Sequence, residues 1–287
     1  MGRGISAESH LLIARAYDVL EREHPSGVRR VAYALFGNRA GAEVKRLGKL
    51  LTRARKEGTI PWAWISDSTR TEVPPFVVTD MGDLRALNRS CPHYDPWPHQ
   101  GVRVKVWSEK SVGGTLEPVL QRLLVPFQVH HGNTSTTEVR RLAESTWRDT
   151  RRTVILYVGD HDPKGLRISE DDVPKRLVEY DVANAIVKRV GLLHADAVRL
   201  RDQQDPFKPQ DSDVKWYRER TGLNYGVELE AIPSTELRDR VDTAIRAEIT
   251  NVAAWNRVMD ASQVVRESWE AYVDRWPAPA IQGLGSE

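Results

Sequence analysis

The sequence predicts an α/β protein in two parts, a helical N-terminal domain followed by a larger domain built on a parallel sheet. Three observations predict it. Up to Gly58 the apolar residues recur at helical spacing, in three segments separated by Gly, Pro and Asn. From Val102 onward short β-branched runs alternate with helical patterns, the signature of strand–helix–strand units. The run Val154-Ile155-Leu156-Tyr157-Val158 is apolar throughout, as a strand buried on both faces requires, and it stops at Gly159-Asp160-His161-Asp162-Pro163.

Composition narrows the classes. The chain has 287 residues, 40% hydrophobic and 29% charged, which suits one large or two ordinary globular domains. A formal net charge of +2 gives no overall field for nucleic acid, so such a role must rest on local clustering. The single cysteine, Cys91, excludes an internal disulfide and a cysteine-built zinc site and points to a reducing, cytoplasmic setting. No apolar run approaches the roughly 18 residues of a membrane span, and the N-terminus lacks a signal-peptide core.

The helical part reads as follows. Leu12, Ile13, Ala16, Tyr17 and Leu20 place an amphipathic helix from Ser6 to about Arg22, capped by Ser6 or Ser9. His24-Pro25-Ser26-Gly27 breaks it. A second helix spans Val28 to Phe36 and ends at Gly37-Asn38, and a third runs from about Ala42 to Glu57. The stretch Ile60 to Ile65, then Asp67 to Arg70 and Phe76 to Val78, suggests a hairpin. Three helices and a hairpin outline a winged helix over residues 1–78. The third helix has an apolar side, Val44, Leu47 and Leu51, and a basic side. Arg39, Lys45, Arg46, Lys49, Arg53, Arg55 and Lys56 stand against the single acid Glu43. Such a face is expected to lie on DNA phosphates, with Lys45, Arg46, Lys49 and Arg53 as contacts. On the second helix Val28, Val31, Ala32 and Leu35 form one stripe, and Tyr33 falls roughly 150° from its centre, between Arg29 and Arg30. A phenol flanked by two guanidiniums can attack a phosphodiester, the cations favouring phenolate and holding the phosphate. It can equally be a plain phosphate contact.

Residues 79–100 form a linker whose Pro92, Pro96 and Pro98 suit a connector; Cys91, His93 and His99 within it lack the further partners a metal site needs. The second domain spans 101–255. Its strands are expected at Val102–Trp107, Val125–Val129, Val154–Val158, Ala197–Leu200 and Val227–Ile232. Its helices are expected at Gly113–Leu124, Thr134–Trp147, Asp172–Val190 and Glu236 to about Thr250. A C-terminal helix and a tail fill 256–287.

Glu109 follows the first of these strands, and Asp160 and Asp162 follow the third. In a parallel sheet those ends share one edge, where ligands bind. Glu228 or Glu230, on the late strand, can join them. Crowded acids repel one another unless a hard cation such as Mg²⁺ neutralises them, and that is how phosphoryl-transfer sites are built.

A glutamate after the first strand and Asp-x-Asp after the third resemble the Toprim domain of topoisomerases, primases and some nucleases. A winged helix ahead of it is similar to the topoisomerase VI A subunit and its meiotic double-strand-break relatives. Val28-Arg29-Arg30-Val31-Ala32-Tyr33 resembles that family's Lys-Arg-Asp-Ile-Tyr-Tyr-like run at Arg29 and Tyr33. It departs at Val28, Arg30 and Ala32.

The resemblance implies Mg²⁺ on Asp160 and Asp162, with Glu109 as ligand or general acid/base and Glu228 or Glu230 as a further ligand. It implies Tyr33 as nucleophile supported by Arg29, and Arg30 and Lys164 on the DNA backbone. It also implies double-stranded DNA as substrate and a homodimer that cuts both strands. The chain has no phosphate-binding Gly-x-x-x-x-Gly-Lys loop, so ATP-coupled strand passage would need a separately encoded subunit. Two alternatives stand beside tyrosine-linked cleavage: a hydrolytic Toprim endonuclease and a non-catalytic DNA-binding subunit. A primase-like nucleotidyl transferase would normally bring a zinc module that one cysteine cannot supply.

Overall fold

A computed structural model describes residues 6–37, 40–65, 94–129, 142–144, 149, 151–182, 184–207 and 213–275. The chain gathers into two units, one of residues 1–71 with 102–248 and one of 72–101 with 249–287.

The first unit opens with the three expected helices. Helix α1 (Ala7–Glu23) starts at Ser6, whose Oγ accepts a hydrogen bond from Ser9 N, and buries Leu12, Ile13, Ala16, Val19 and Leu20. Helix α2 (Val28–Phe36) packs on α3 (Ala40–Lys56), which buries Leu47, Leu51 and Ala54. Trp64 closes the trio, its ring 4.8 Å from His24 and 5.1 Å from Tyr17. The wing expected over Asp67–Val78 lies outside the described residues.

The sheet follows. Strands β1 (Val102–Ser108), β2 (Phe127–Val129), β3 (Arg152–Val158) and β4 (Ala185–Gly191) form one parallel sheet in the order β2-β1-β3-β4. Helix α4 (Gly113–Leu123) links β1 to β2. Most of the helix expected at Thr134–Trp147 is outside the described residues, although 142–144 are helical. Ser108 pairs with Val158, so the chain leaves β1 and β3 side by side. Because the connections run in opposite directions from these two central strands, their carboxyl ends form the switch point of the sheet, where a crevice opens.

Three expected elements differ. A single helix over Asp172–Val190 is replaced by α5 (Pro163–Arg167), a π turn over Ile168–Asp172 and α6 (Val173–Glu179), and then by strand β4. The helical pattern ends near Asp181, at φ 56°, and the β-branched run beyond it finds a ladder partner in β3. Ala197–Arg199 belong to a short helix, α7 (His194–Arg199), with Leu200 as its C-cap, and its first turn is closed by Asp196 accepting from Leu193 N at 2.8 Å. Val227–Ile232 is no strand. Val227 makes an isolated antiparallel bridge to His161, and a 3₁₀ turn over Leu229–Ala231 follows. Its backbone donor at Leu229 goes to the carboxylate of Asp160, 2.7 Å away, rather than to a neighbouring strand.

Helices α8 (Val214–Thr221) and α9 (Ser234–Arg246) complete this unit. In the second unit α10 (Val252–Arg275) runs unbroken across the boundary expected at 255. Trp97 there meets Trp255 edge-on at 5.2 Å, and Tyr94 N donates to Ser262 Oγ, so part of the expected linker is packed structure. Among the described residues no helix is long and apolar enough to cross a membrane.

Candidate metal and phosphate site

The acids meet at the switch point, carried by the loops that leave β1 and β3. Glu109 Oε1 accepts from Asp160 N at 2.8 Å. It lies so close to Gly159 and Gly165 that a Cβ at either would come within 2.6 Å of it. These two glycines are what let the carboxylate lie against the end of β3. Alternation past β3 turns Asp160 and Asp162 to the acid side and His161 away from it. The imidazole is buried, with Nδ1 2.7 Å from the Tyr217 hydroxyl, and burial followed by the charge of Arg189 lowers its pKa to about 4. Asp162 caps α5 by accepting from Gly165 N at 2.6 Å. Asp160 receives Leu229 N on one oxygen and the Lys110 ammonium, at 2.8 Å, on the other. Glu230 stands 3.6 Å beyond the same ammonium, and its Oε2 is buried with no hydrogen-bond partner among the described residues.

Burial, then the negative charges of Asp160 and Asp162, push Glu109 up to about 7. Burial likewise raises Asp162 and Glu230, each with Asp160 as a repelling neighbour. For Glu228 burial acts upward too, but hydrogen bonds from Arg29 and the charge of Lys110 outweigh it and the net shift is downward.

Helix α2 delivers the second half of the site. Arg29 clasps Glu228 with two guanidinium nitrogens, its Nε at 2.8 Å, and comes within 3.5 Å of Glu230. The Tyr33 hydroxyl lies 2.8 Å from Asp205 Oδ2 and 2.9 Å from Glu228 Oε2. Tyr33 was expected on an open face between two arginines that would favour phenolate. The structure corrects this: Tyr33 is only 3% exposed, and burial together with the charges of Glu228 and Asp205 drives its pKa far above the ordinary phenol range. The helical wheel misjudged this face because α2 is covered on both sides, by α3 on one and by the 226–232 segment on the other. Arg30, expected on DNA phosphates, is also buried. It makes a two-pronged bond to Glu23 at 2.8 and 3.0 Å and reaches the carbonyls of Glu230 and Ala231.

The remaining expected contacts divide in two. Lys45, Arg46, Lys49 and Arg53 are all exposed on α3, and Lys164 is exposed on α5. Arg46 is engaged with Glu8 at 2.6 Å and Arg53 with Glu57 at 2.7 Å. Arg39, Cys91 and His93 lie outside the described residues.

Two site residues gave no usable signal in the sequence. Asp205 sits in a stretch without periodicity and reaches Tyr33 only through the bridge between Asp205 and Gly226. Arg189 falls within the stretch expected to be a helix, Asp172–Val190, and nothing there marks it for burial. In the fold its guanidinium lies beneath the acid loop and donates to the carbonyls of Gly159, Asp160, Gly165 and Leu192 and to Ser169 Oγ.

The donor set suits a hard cation at one point. Among the described residues no three carboxylate or imidazole groups converge at ligating distance, so Glu109, Asp160, Asp162 and Glu228 do not form one ready-made cage. Asp160 and Glu230 do share a cationic position, taken here by Lys110, and Glu230 Oε2 still lacks a hydrogen-bond partner among the described residues. Mg²⁺ is commonly held by one or two carboxylates with water and phosphate making up the rest, so this pair fits it.

No protein-family model matches this chain, and neither any curated protein nor any solved structure matches it significantly.

Proposed function

We propose that this chain is a Mg²⁺-dependent DNA-cleaving enzyme of the Toprim, topoisomerase VI A-like kind, acting hydrolytically rather than through Tyr33. The observation that carries the reading is the pair Asp160 and Glu230 around one cationic position at the switch point, with Glu109 beside it near neutral pKa. Asp160 and Glu230 would hold the ion, and Asp162 and Glu228 flank them. When bound, Mg²⁺ supplies Lewis-acid charge at the phosphate and acidifies water.

Glu109 is suited to moving a proton near neutrality. Lys110 and Arg29 balance the acids. Lys45 and Lys49 on α3, in a winged-helix role, and Lys164 on α5 would track the DNA backbone. Tyr33 is read as a hydrogen-bond donor to Asp205 and Glu228, because a buried phenol held by carboxylates is the opposite of an activated nucleophile. Cutting both strands requires two such sites, hence a two-fold homodimer. ATP-coupled strand passage would need a separate subunit.

The test uses supercoiled plasmid with Mg²⁺ and compares wild type, Tyr33→Phe and Asp160→Ala, with and without protease before electrophoresis. Free ends from wild type and Tyr33→Phe but not from Asp160→Ala are expected. Protease-sensitive DNA adducts lost in Tyr33→Phe would replace this reading with a tyrosine transesterase. The lack of a three-acid cluster among the described residues favours a second reading, a non-catalytic DNA-binding subunit. That reading gains if no variant cuts and Mg²⁺ leaves DNA affinity unchanged.

A further inference from the structure

Beside the acids, between the start of α2, the body of α3 and the turn that enters α4, lies a cavity of about 340 Å³. Its floor is apolar, formed by Val28, Val112, Ile232 and Leu237. Its charged lining includes Lys110 and Glu230, which it shares with the candidate metal site, and Arg55 from α3. Two buried polar atoms belonging to these residues have no hydrogen-bond partner among the described residues, Glu230 Oε2 and Arg55 Nε. The Arg55 guanidinium rests 4.8 Å from the centre of the Trp62 ring, a contact that meets its charge but gives Nε no acceptor.

An orphaned guanidinium donor is costly to bury, and so is an orphaned carboxylate oxygen. One cavity lined by both calls for a ligand that brings an acceptor to the first and leaves the second to a cation. Arg29 and Lys110 already have carboxylate partners, whereas Arg55 Nε has no acceptor among the described residues. An anion entering here would therefore make its new charge-assisted bond with Arg55. Apolar walls exclude a bare ion as the best occupant, because they reward a ligand that also buries a flat or aliphatic body. The volume is at the small end for ligand sites, which run from about 300 Å³ upward, so it suits one unit rather than a longer segment.

We propose that this cavity is a subsite for a single nucleotide of the DNA substrate, with Arg55 binding a phosphate and the apolar floor receiving the sugar and base. The choice of a nucleotide rests on the cleavage reading of the adjoining acids. Arg55 stood in the basic run of the third helix but not among its expected contacts. Helical spacing puts it on the side of α3 that carries Val44 and Leu51, and with Val44 it lines the cavity that Lys110 and Glu230 also line.

The test is calorimetric titration in EDTA with thymidine 5′-monophosphate, thymidine and inorganic phosphate as three separate probes. Wild type is compared with Arg55→Gln, which removes the charge, and Val112→Phe, which fills the floor from a different element. Circular dichroism checks that each variant is folded. The expected result is that the mononucleotide binds more tightly than either fragment, and that each substitution weakens it by about tenfold or more. Phosphate binding as tightly as the mononucleotide would overturn the subsite. So would a failure of the mononucleotide to bind, or an affinity unchanged in Arg55→Gln.

Because EDTA removes any metal, the outcome is independent of cleavage. Arg55-dependent binding without plasmid cutting would keep the subsite and remove the nuclease. Cutting with no Arg55-dependent binding would do the reverse.

Discussion

Glu109 carries the sharpest residue-level consequence. Its pKa is raised from 4.5 to about 7, first by burial and then by Asp160 and Asp162. The folded protein therefore binds this proton more tightly than the unfolded chain does. The stability so gained is complete below pH 4.5 and is lost as pH rises through about 7. In EDTA, Glu109→Gln is expected to be near neutral at acid pH and stabilising by roughly 3 kcal/mol at about pH 8, read from urea unfolding at both pH values. An equal effect at both would show that Glu109 is not the group titrating. His161 has the opposite sense: its pKa is lowered to about 4, so its contribution is present above 6.5 and disappears as pH falls toward 4. Arg189 is structural support for the same loop. Arg189→Met would remove the donor that five acceptors now share, Gly159 and Gly165 keeping other donors, and should cost about 3 kcal/mol in urea unfolding, with Mg²⁺ absent. The Asp-x-Asp pair and Glu109 were legible because carboxylates after apolar runs stand out. Arg189 was not: the stretch around it reads as a helix, and the strand that buries its guanidinium forms only through pairing with β3.

At the scale of elements, α3 obeys its pattern and α2 does not. The apolar face of α3 packs as the spacing requires, and its lysines remain at the surface. Lys45→Ala with Lys49→Ala should therefore leave thermal unfolding unchanged. If α3 lies on DNA, the pair should also flatten the slope of log affinity against log salt by about 0.9 for each phosphate that is no longer neutralised. An unaltered slope would move the DNA elsewhere. Leu51→Ala, by comparison, opens a cavity in a fully buried position and should cost about 2–5 kcal/mol. Helix α2 is nine residues long, too short for its periodicity to say how many neighbours it has, and α1, α3 and the turn at 229–231 all pack on it. The strand expected over Val227–Ile232 failed for a related reason. Its alternation is real, but the residues lie past the carboxyl edge of the sheet, where Asp160 competes for the backbone donor of Leu229.

At the scale of the whole molecule, strand order is what makes a site. The order β2-β1-β3-β4 sets the exits of β1 and β3 side by side, and only there can acids about fifty positions apart in sequence touch through Glu109 and Asp160 N. The division into two units is testable in the same frame. Trp97→Ala removes the edge-on partner of Trp255 and should speed amide exchange in α10 while leaving β1 and β3 protected, as followed by hydrogen-exchange mass spectrometry. Faster exchange in the sheet would argue against separate units. The α/β class, the helical trio, the sheet strands β1, β2 and β3 and the two acid-bearing loops are all legible in the sequence. These follow from periodicity and from breaks in it, which are local properties of the chain. Long-range packing alone sets Tyr33 against Asp205 and Glu228, buries Arg30 and Arg189, and makes Glu230 share a cation with Asp160. Those outcomes depend on which distant segment covers a given face, and on where each buried charge finds its partner; no local pattern encodes either.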